Sequence, residues 1–72
     1  MDPAVKRFGE NVRAARLAKG WTQERLAQET GLATVQVSRI ERGVREVRLT
    51  TLLRLSRALA EPPTSLFAGL DV

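Results

Sequence analysis

The chain has 72 residues, of which 43% are hydrophobic and 28% charged, with no cysteine and no histidine. That length predicts one small domain, since domains hold roughly 100–200 residues, and the missing thiols and imidazoles remove disulfide staples, the usual soft metal ligands and the common neutral-pH catalytic groups. An enzyme, a metal or a cofactor is therefore not expected, whereas a net charge of +4 with an isoelectric point near 11.1 favours an acidic partner, nucleic acid first, over a merely solvated basic surface.

Asp2-Pro3 reads as a helix N-cap with proline at the first helical position, where its missing N–H costs nothing. Val5, Phe8, Val12 and Ala15 then recur at helical spacing, which predicts a helix over 3–19 that stops at Gly20. Thr22 is placed to cap a second helix over 23–30, with Leu26 and Ala27 inward and Gly31 reversing the chain. A third helix is expected over 33–42, ended by Gly43. Residues 43–48 (GVREVR) lack helical periodicity and read as a loop carrying Arg45 and Arg48. Leu49, Leu52, Leu55, Ser56 and Leu59 are expected to share the inward face of a fourth helix over 49–60, with Arg54 and Arg57 outward, until Pro62-Pro63 breaks it. A short fifth helix over 64–68 would be capped by Thr64 or Ser65. Since the longest apolar run is three residues, as in Ala58-Leu59-Ala60, no segment can span a bilayer or serve as a signal core, and a cytoplasmic protein without a membrane partner is expected.

The informative stretch is Thr22 to Gly43, TQERLAQETGLATVQVSRIERG, two short helices around a tight glycine turn. That geometry lets the second helix project into a DNA major groove, although any small helical bundle contains such a turn. At about 100° per residue, a helix with Val37 inward also turns Ile40 and Glu41 inward and leaves Val35, Arg39 and Arg42 nearly opposite, flanked by Gln36 and Ser38, with Thr34 at the leading end. Arginine can donate to guanine, glutamine can pair with adenine and methyl groups can meet thymine. An ordinary solvated helix face is the competing reading. Ten of the twelve cations are arginine, whose planar fork suits phosphates and guanine edges.

From about Val12 to Phe67 the chain resembles the phage-repressor/Cro-like (Xre-type) helix-turn-helix family. The features that carry the resemblance are Arg16, Gly20-Trp21-Thr22-Gln23-Glu24, Leu26-Ala27, Gly31, Ser38-Arg39-Ile40-Glu41-Arg42-Gly43 and the later leucine helix through Leu59. The resemblance implies an all-α fold, a compact five-helix lambda-repressor-like DNA-binding domain with the helix-turn-helix at helices 2 and 3. It implies sequence-specific binding of double-stranded DNA in transcriptional control, as a homodimer on a two-fold symmetric operator. It places Thr34, Val35, Gln36, Ser38 and Arg39 at bases or nearby phosphates, with Arg39 the leading base reader. Gln23 resembles a phosphate clamp, and Arg42, Arg45 and Arg48 would follow on the DNA backbone. Arg16 and Glu41 match a buried ion pair that joins the first helix to the third.

Other expectations are local. Trp21 and Phe8 lie in core register. Ala33 stands where relatives carry a Ser or Thr cap, so Thr34 is expected to cap the third helix instead, and Val47-Arg48 replaces the polar entry to the fourth, which leaves Val47 as an apolar residue for a partner subunit to cover. Val47, Leu66, Phe67 and Leu70 are the dimer candidates, Leu66 and Phe67 being equally able to close the monomer core. A domain this small buries only about 60% of its unfolded surface, which also favours oligomerisation. Around ERGVREVRLTTLL the chain is similar to restriction–modification controller proteins, a domain that phage repressors and antitoxins share. With no second domain expected, neither is a small-molecule ligand. The alternative function is an antitoxin-like protein-interaction module with secondary DNA binding.

Overall fold

A computed structural model describes residues 2–70. Five helices follow in order: α1 (Pro3–Ala18), α2 (Gln23–Thr30), α3 (Thr34–Arg42), α4 (Leu49–Leu59) and α5 (Pro63–Leu66). Asp2 caps α1 by accepting the Ala4 N–H at 2.8 Å, with Pro3 at the first position. Thr22 caps α2 by accepting from Arg25 at 3.0 Å, and Gly31 closes that helix in the left-handed region at φ 75°. These are the boundaries that the capping residues predict.

The departures are at the other ends. α1 stops at Ala18 with Lys19 as its C-cap, and α3 starts at Thr34 with Ala33 as its N-cap, each one residue short of expectation. α4 ends at Leu59 because Ala60 takes a left-handed φ of 54°, a cap that lets Glu61 donate back to the Ser56 carbonyl at 3.0 Å. Neither Thr64 nor Ser65 caps α5, which runs over 63–66 rather than 64–68; Pro62 holds the N-cap position and Pro63 opens the helix, as its fixed φ allows.

Phe8, Val12, Leu26, Ala27, Val37, Ile40, Leu52, Leu55, Leu59 and Leu66 form one buried core contributed by all five helices, and Ala15, Trp21, Leu32, Val47, Ala58 and Leu70 pack against it. Leu49 is not buried with the inward face of α4: it is 69% exposed. It lies one turn before Leu52 at the very start of the helix, in register with the buried stripe of Leu52, Leu55 and Leu59 but beyond the end of the core that covers them.

The tightest approach is between α1 and α3. A Cβ on Gly9 would collide with the Ile40 carbonyl oxygen and stand 2.9 Å from that of Glu41, so only glycine lets the two backbones come this close. Gly43 repeats the device at the C-terminus of α3, where φ is 69° and a Cβ would lie 2.5 Å from Lys6 Cα. The C-terminal half of the third helix is thus pressed onto the first, which fixes which of its faces points out.

Candidate nucleic-acid interface

The inward face of α3 carries a buried polar cluster. Arg16 donates to both carboxylate oxygens of Glu41, from Nε to Oε2 at 2.7 Å and from Nη2 to Oε1 at 3.0 Å, and from Nη1 to the Trp21 carbonyl at 2.7 Å. Both side chains are buried. The fork-to-fork geometry is the strong form of this contact. The Glu41 hydrogen bond raises the Arg16 pKa above its ordinary value, against the opposing effect of burial, so the guanidinium stays charged throughout the accessible pH range. Trp21 packs on the core half-buried, with Lys19 Nζ 5.0 Å and the Arg25 guanidinium 4.8 Å from its ring centre.

Gln23 belongs to this cluster as well. Its Nε2 donates to Glu41 Oε1 at 3.1 Å, and the side chain is half-buried. In the sequence Gln23 reads as a phosphate clamp; in the structure its amide first links α2 to the ion pair, with one N–H left to point elsewhere.

On the opposite side of α3, Thr34, Val35, Gln36, Arg39 and Arg42 are exposed and Ser38 is half-buried, as the helical period predicts. Val35 is 50% exposed, a large value for a valine on a short helix. Thr34 does not cap the helix. Ala33 has no side-chain acceptor, and the end is tied instead by Gln36, whose Oε1 accepts the Ala33 N–H at 2.9 Å. This is the reciprocal half of a capping box, in which the third residue of the helix reaches back to the cap. Arg42 Nε lies 3.4 Å from the Ser38 carbonyl. Arg39 has no hydrogen-bond or ion-pair partner among the described residues.

Between α3, the 43–48 loop and α4 lies an open cleft of about 480 Å³ onto which Arg39, Arg45, Arg48 and Arg54 all face, with Gln36, Thr50 and Thr51. Arg45 and Arg48 are exposed loop residues, as expected. Arg54 is the addition. The sequence places it on the outer face of α4 and gives no sign that this part of the face looks toward α3, because that depends on how α4 crosses the bundle.

The profile of the helix-turn-helix family matches residues 12–66, most of the chain. The chain belongs to the helix-turn-helix family. A control protein of Bacillus amyloliquefaciens, C.BamHI, is 43% identical over 60 residues, which are 82% of this chain and 74% of that protein. The control protein C.SmaI of Serratia marcescens is 42% identical over 52 residues, 72% of this chain and 62% of that one. The crystal structure of the restriction–modification controller protein C.AhdI from Aeromonas hydrophila superposes with a TM-score of 0.85 at 43% identity, over 88% of this chain and 96% of that one. The all-α, five-helix architecture and the Xre-type resemblance therefore hold, and with them the function of a helix-turn-helix DNA-binding transcriptional regulator.

Within this helix-turn-helix domain the four dimer candidates part company. Leu66 is 1% exposed and fills the monomer core, so it is not available to a partner. Val47 is half-buried against the core rather than open. Phe67 is 43% exposed, its ring 6.3 Å from that of Phe8, and it lines a shallow apolar groove of about 270 Å³ with Val5, Phe8, Val47, Leu52 and Leu70. Asn11 holds this end in place by donating from Nδ2 to the carbonyls of Leu66 at 2.9 Å and Ala68 at 2.8 Å. Leu49 and Leu53 are exposed by 69% and 38% on successive turns of α4, which adds apolar surface where the leucine period places Leu49 inward. No helix among the described residues is long and apolar enough to cross a membrane.

Proposed function

We propose that the protein is a restriction–modification controller that acts in the cytoplasm as a homodimer on a two-fold symmetric operator, with one α3 in the major groove of each half-site. Its role is binding and not catalysis. The observation that carries the reading is the outer face of α3, where Val35 and Arg39 stand free of the body of the protein and Gln36 is exposed and bonded only to the N-terminus of its own helix, while Glu41 on the same helix is locked to Arg16. Two-fold related recognition helices would meet successive major grooves, about 34 Å apart along the duplex.

In this reading Thr34, Val35, Gln36 and Arg39 meet base edges, with Ser38 at the border of the face. Arg42, Arg45, Arg48 and Arg54 follow the phosphates, and Gln23 offers its remaining N–H to the backbone at the start of α2. Phe67, Leu70 and Val47, with Leu49 and Leu53 nearby in sequence on α4, supply the apolar surface for the second subunit. The control-protein relatives and the density of arginine around the cleft support the assignment.

The test is selection of bound fragments from a random duplex pool at near-physiological salt, using the protein and its Arg39→Ala variant in parallel. Enrichment of a two-fold symmetric site whose consensus weakens in the variant is expected. If neither protein enriches any sequence while both stay folded, the operator reading is wrong, and the apolar groove at Phe67 becomes the better guide, toward a protein-interaction module.

A further inference from the structure

The side chains of α3 differ in what they can still offer once the helix has capped itself. Ala33 cannot cap, so its N–H is satisfied by Gln36 Oε1 at 2.9 Å. Chemistry fixes which end of the amide faces that N–H, since two donors would repel. Gln36 is exposed, and the part of its head group left for a ligand is the NH₂, a pair of donors. Pairing with adenine requires one amide to give N7 a proton while accepting one from N6. With one lone pair of Oε1 held by the Ala33 N–H, Gln36 offers two free donors against a single remaining acceptor site, so it meets a base acceptor without disturbing the bond that closes the N-terminus of α3.

The rest of the outer face has the same character. Arg39 has five donors and no acceptor. Val35 presents only methyl groups, half exposed. The single acid of the helix, Glu41, is buried on the other side with Arg16 and Gln23. Among the exposed residues there, acceptor capacity is limited to the Thr34 hydroxyl at the leading end and the second lone pair of Gln36 Oε1. A surface of donors and methyls is complementary to bases that show acceptors and methyls in the major groove. Those are guanine, with O6 and N7, and thymine, with O4 and its 5-methyl group, whereas adenine and cytosine both project amino donors.

We infer that Val35, Gln36 and Arg39 contact the keto base of each pair they read: guanine through Arg39, and thymine through the Val35 methyls and the Gln36 NH₂. The inference rests on α3 being the recognition helix. Val35 and Arg39 are one turn apart, about 6 Å along the helix axis, so the thymine and the guanine lie within two base pairs of each other. Cytosine methylated at C5 satisfies Val35 but opposes Gln36 with an amino donor, and uracil does the reverse.

The experiment uses the operator obtained by selection. Each contacted thymine is replaced by deoxyuridine, which removes only the methyl, or by 5-methylcytosine opposite guanine, which keeps the methyl and replaces O4. Each contacted guanine is replaced by 7-deazaguanine. Dissociation constants are measured at fixed salt for the wild-type protein and for Val35→Ala, Gln36→Glu and Arg39→Ala. Deoxyuridine should weaken wild-type binding about 4-fold, the worth of one buried methyl, and leave Val35→Ala unaffected. Loss of N7 should weaken wild-type binding about 5- to 150-fold, the range for an arginine–guanine contact, and leave Arg39→Ala unaffected.

Gln36→Glu is the sharpest variant because a carboxylate still accepts the Ala33 N–H. Its melting temperature should stay at or above that of wild type while its preference for thymine disappears. A wild-type protein that binds deoxyuridine as it binds thymine, or one that loses affinity when the adenine paired with the contacted thymine is replaced by 7-deazaadenine, would overturn the keto-base rule and leave the operator reading standing. Absence of any enriched site would overturn both.

Discussion

The two faces of α3 are built on opposite principles. The inner face is over-determined: Val37 and Ile40 are buried, Glu41 accepts three hydrogen bonds, and Gly9 lets the α1 backbone press against the carbonyls of Ile40 and Glu41. The outer face is nearly unconstrained, with Gln36 tied to the helix terminus and Arg39 tied to nothing among the described residues. A reading surface needs both. Free side chains can meet a base edge only from a backbone held in one orientation, because a bidentate contact tolerates little displacement. In the proposed reading the buried Arg16–Glu41 pair contributes to recognition by fixing the orientation of α3 from its inner side.

The comparison predicts that damage to the inner face appears as lost stability and damage to the outer face as lost sequence preference. The largest effect belongs to Arg16→Ala, which leaves Glu41 buried without its partner and should destabilise the domain by about 3–5 kcal/mol in chemical denaturation. A loss below about 1 kcal/mol, the range of exposed pairs, would mean that the cluster is hydrated and does not aim α3. Gly9→Ala comes next. Forcing a methyl between the two helices should cost about 1–3 kcal/mol, as overpacking does, and lower DNA affinity by tilting α3. An unchanged melting temperature for that variant would show that α1 can slide without consequence.

Arg39→Ala should do the reverse. Denaturation should be unaltered, and specific binding should weaken by about 1–3 kcal/mol with preference relaxed at one base pair per half-site. If all sequences lose affinity equally, Arg39 is a phosphate contact and the outer face is less of a reader than Val35 and Gln36 suggest. Phe67→Ala tests a region outside the comparison. In the proposed homodimer it should weaken self-association by up to about 2 kcal/mol, read by sedimentation equilibrium, because Phe67 is a large apolar side chain left 43% exposed. An equal loss of monomer stability would assign the ring to its contact with Phe8 instead.

Much of this division can be read from residue order alone. Capping by Asp2 and Thr22, the turn at Gly31, the inward direction of Glu41 and the outward set of Val35, Arg39 and Arg42 follow from local rules that need no knowledge of tertiary packing. What escapes depends on distant contacts. Gly9 looks like a weak helix residue until α3 is laid across it. Leu49 sits on the leucine period of α4 but beyond the edge of the core that the other helices supply. Arg54 is outward by its own helix and inward to a cleft that only the crossing of α3 and α4 creates. Leu66 resembles a surface apolar residue at a short C-terminal helix, whereas Asn11 reaches across from α1 to hold that turn and bury it. Gln36 reads as a base contact from its position alone, whereas its capping bond follows from an absence, the missing hydroxyl at Ala33.

The smallest effect concerns Arg45. It lies on the exposed loop after α3, facing the same cleft as Arg39 but outside the reading helix, so in this division it supplies charge without sequence information. Neutralising one phosphate releases its condensed counterions and contributes about 0.9 to the slope of log affinity against log salt, whatever the bases are. Arg45→Ala should therefore weaken operator and random duplex by the same factor, reduce the salt slope by about one, and leave the selected consensus unchanged. Titrations of both duplexes across a salt series would establish this. Were the variant to keep the wild-type slope while losing preference at one position, Arg45 would be reaching a base, and the boundary between the reading face of α3 and the phosphate-binding loop would have to be moved past Gly43.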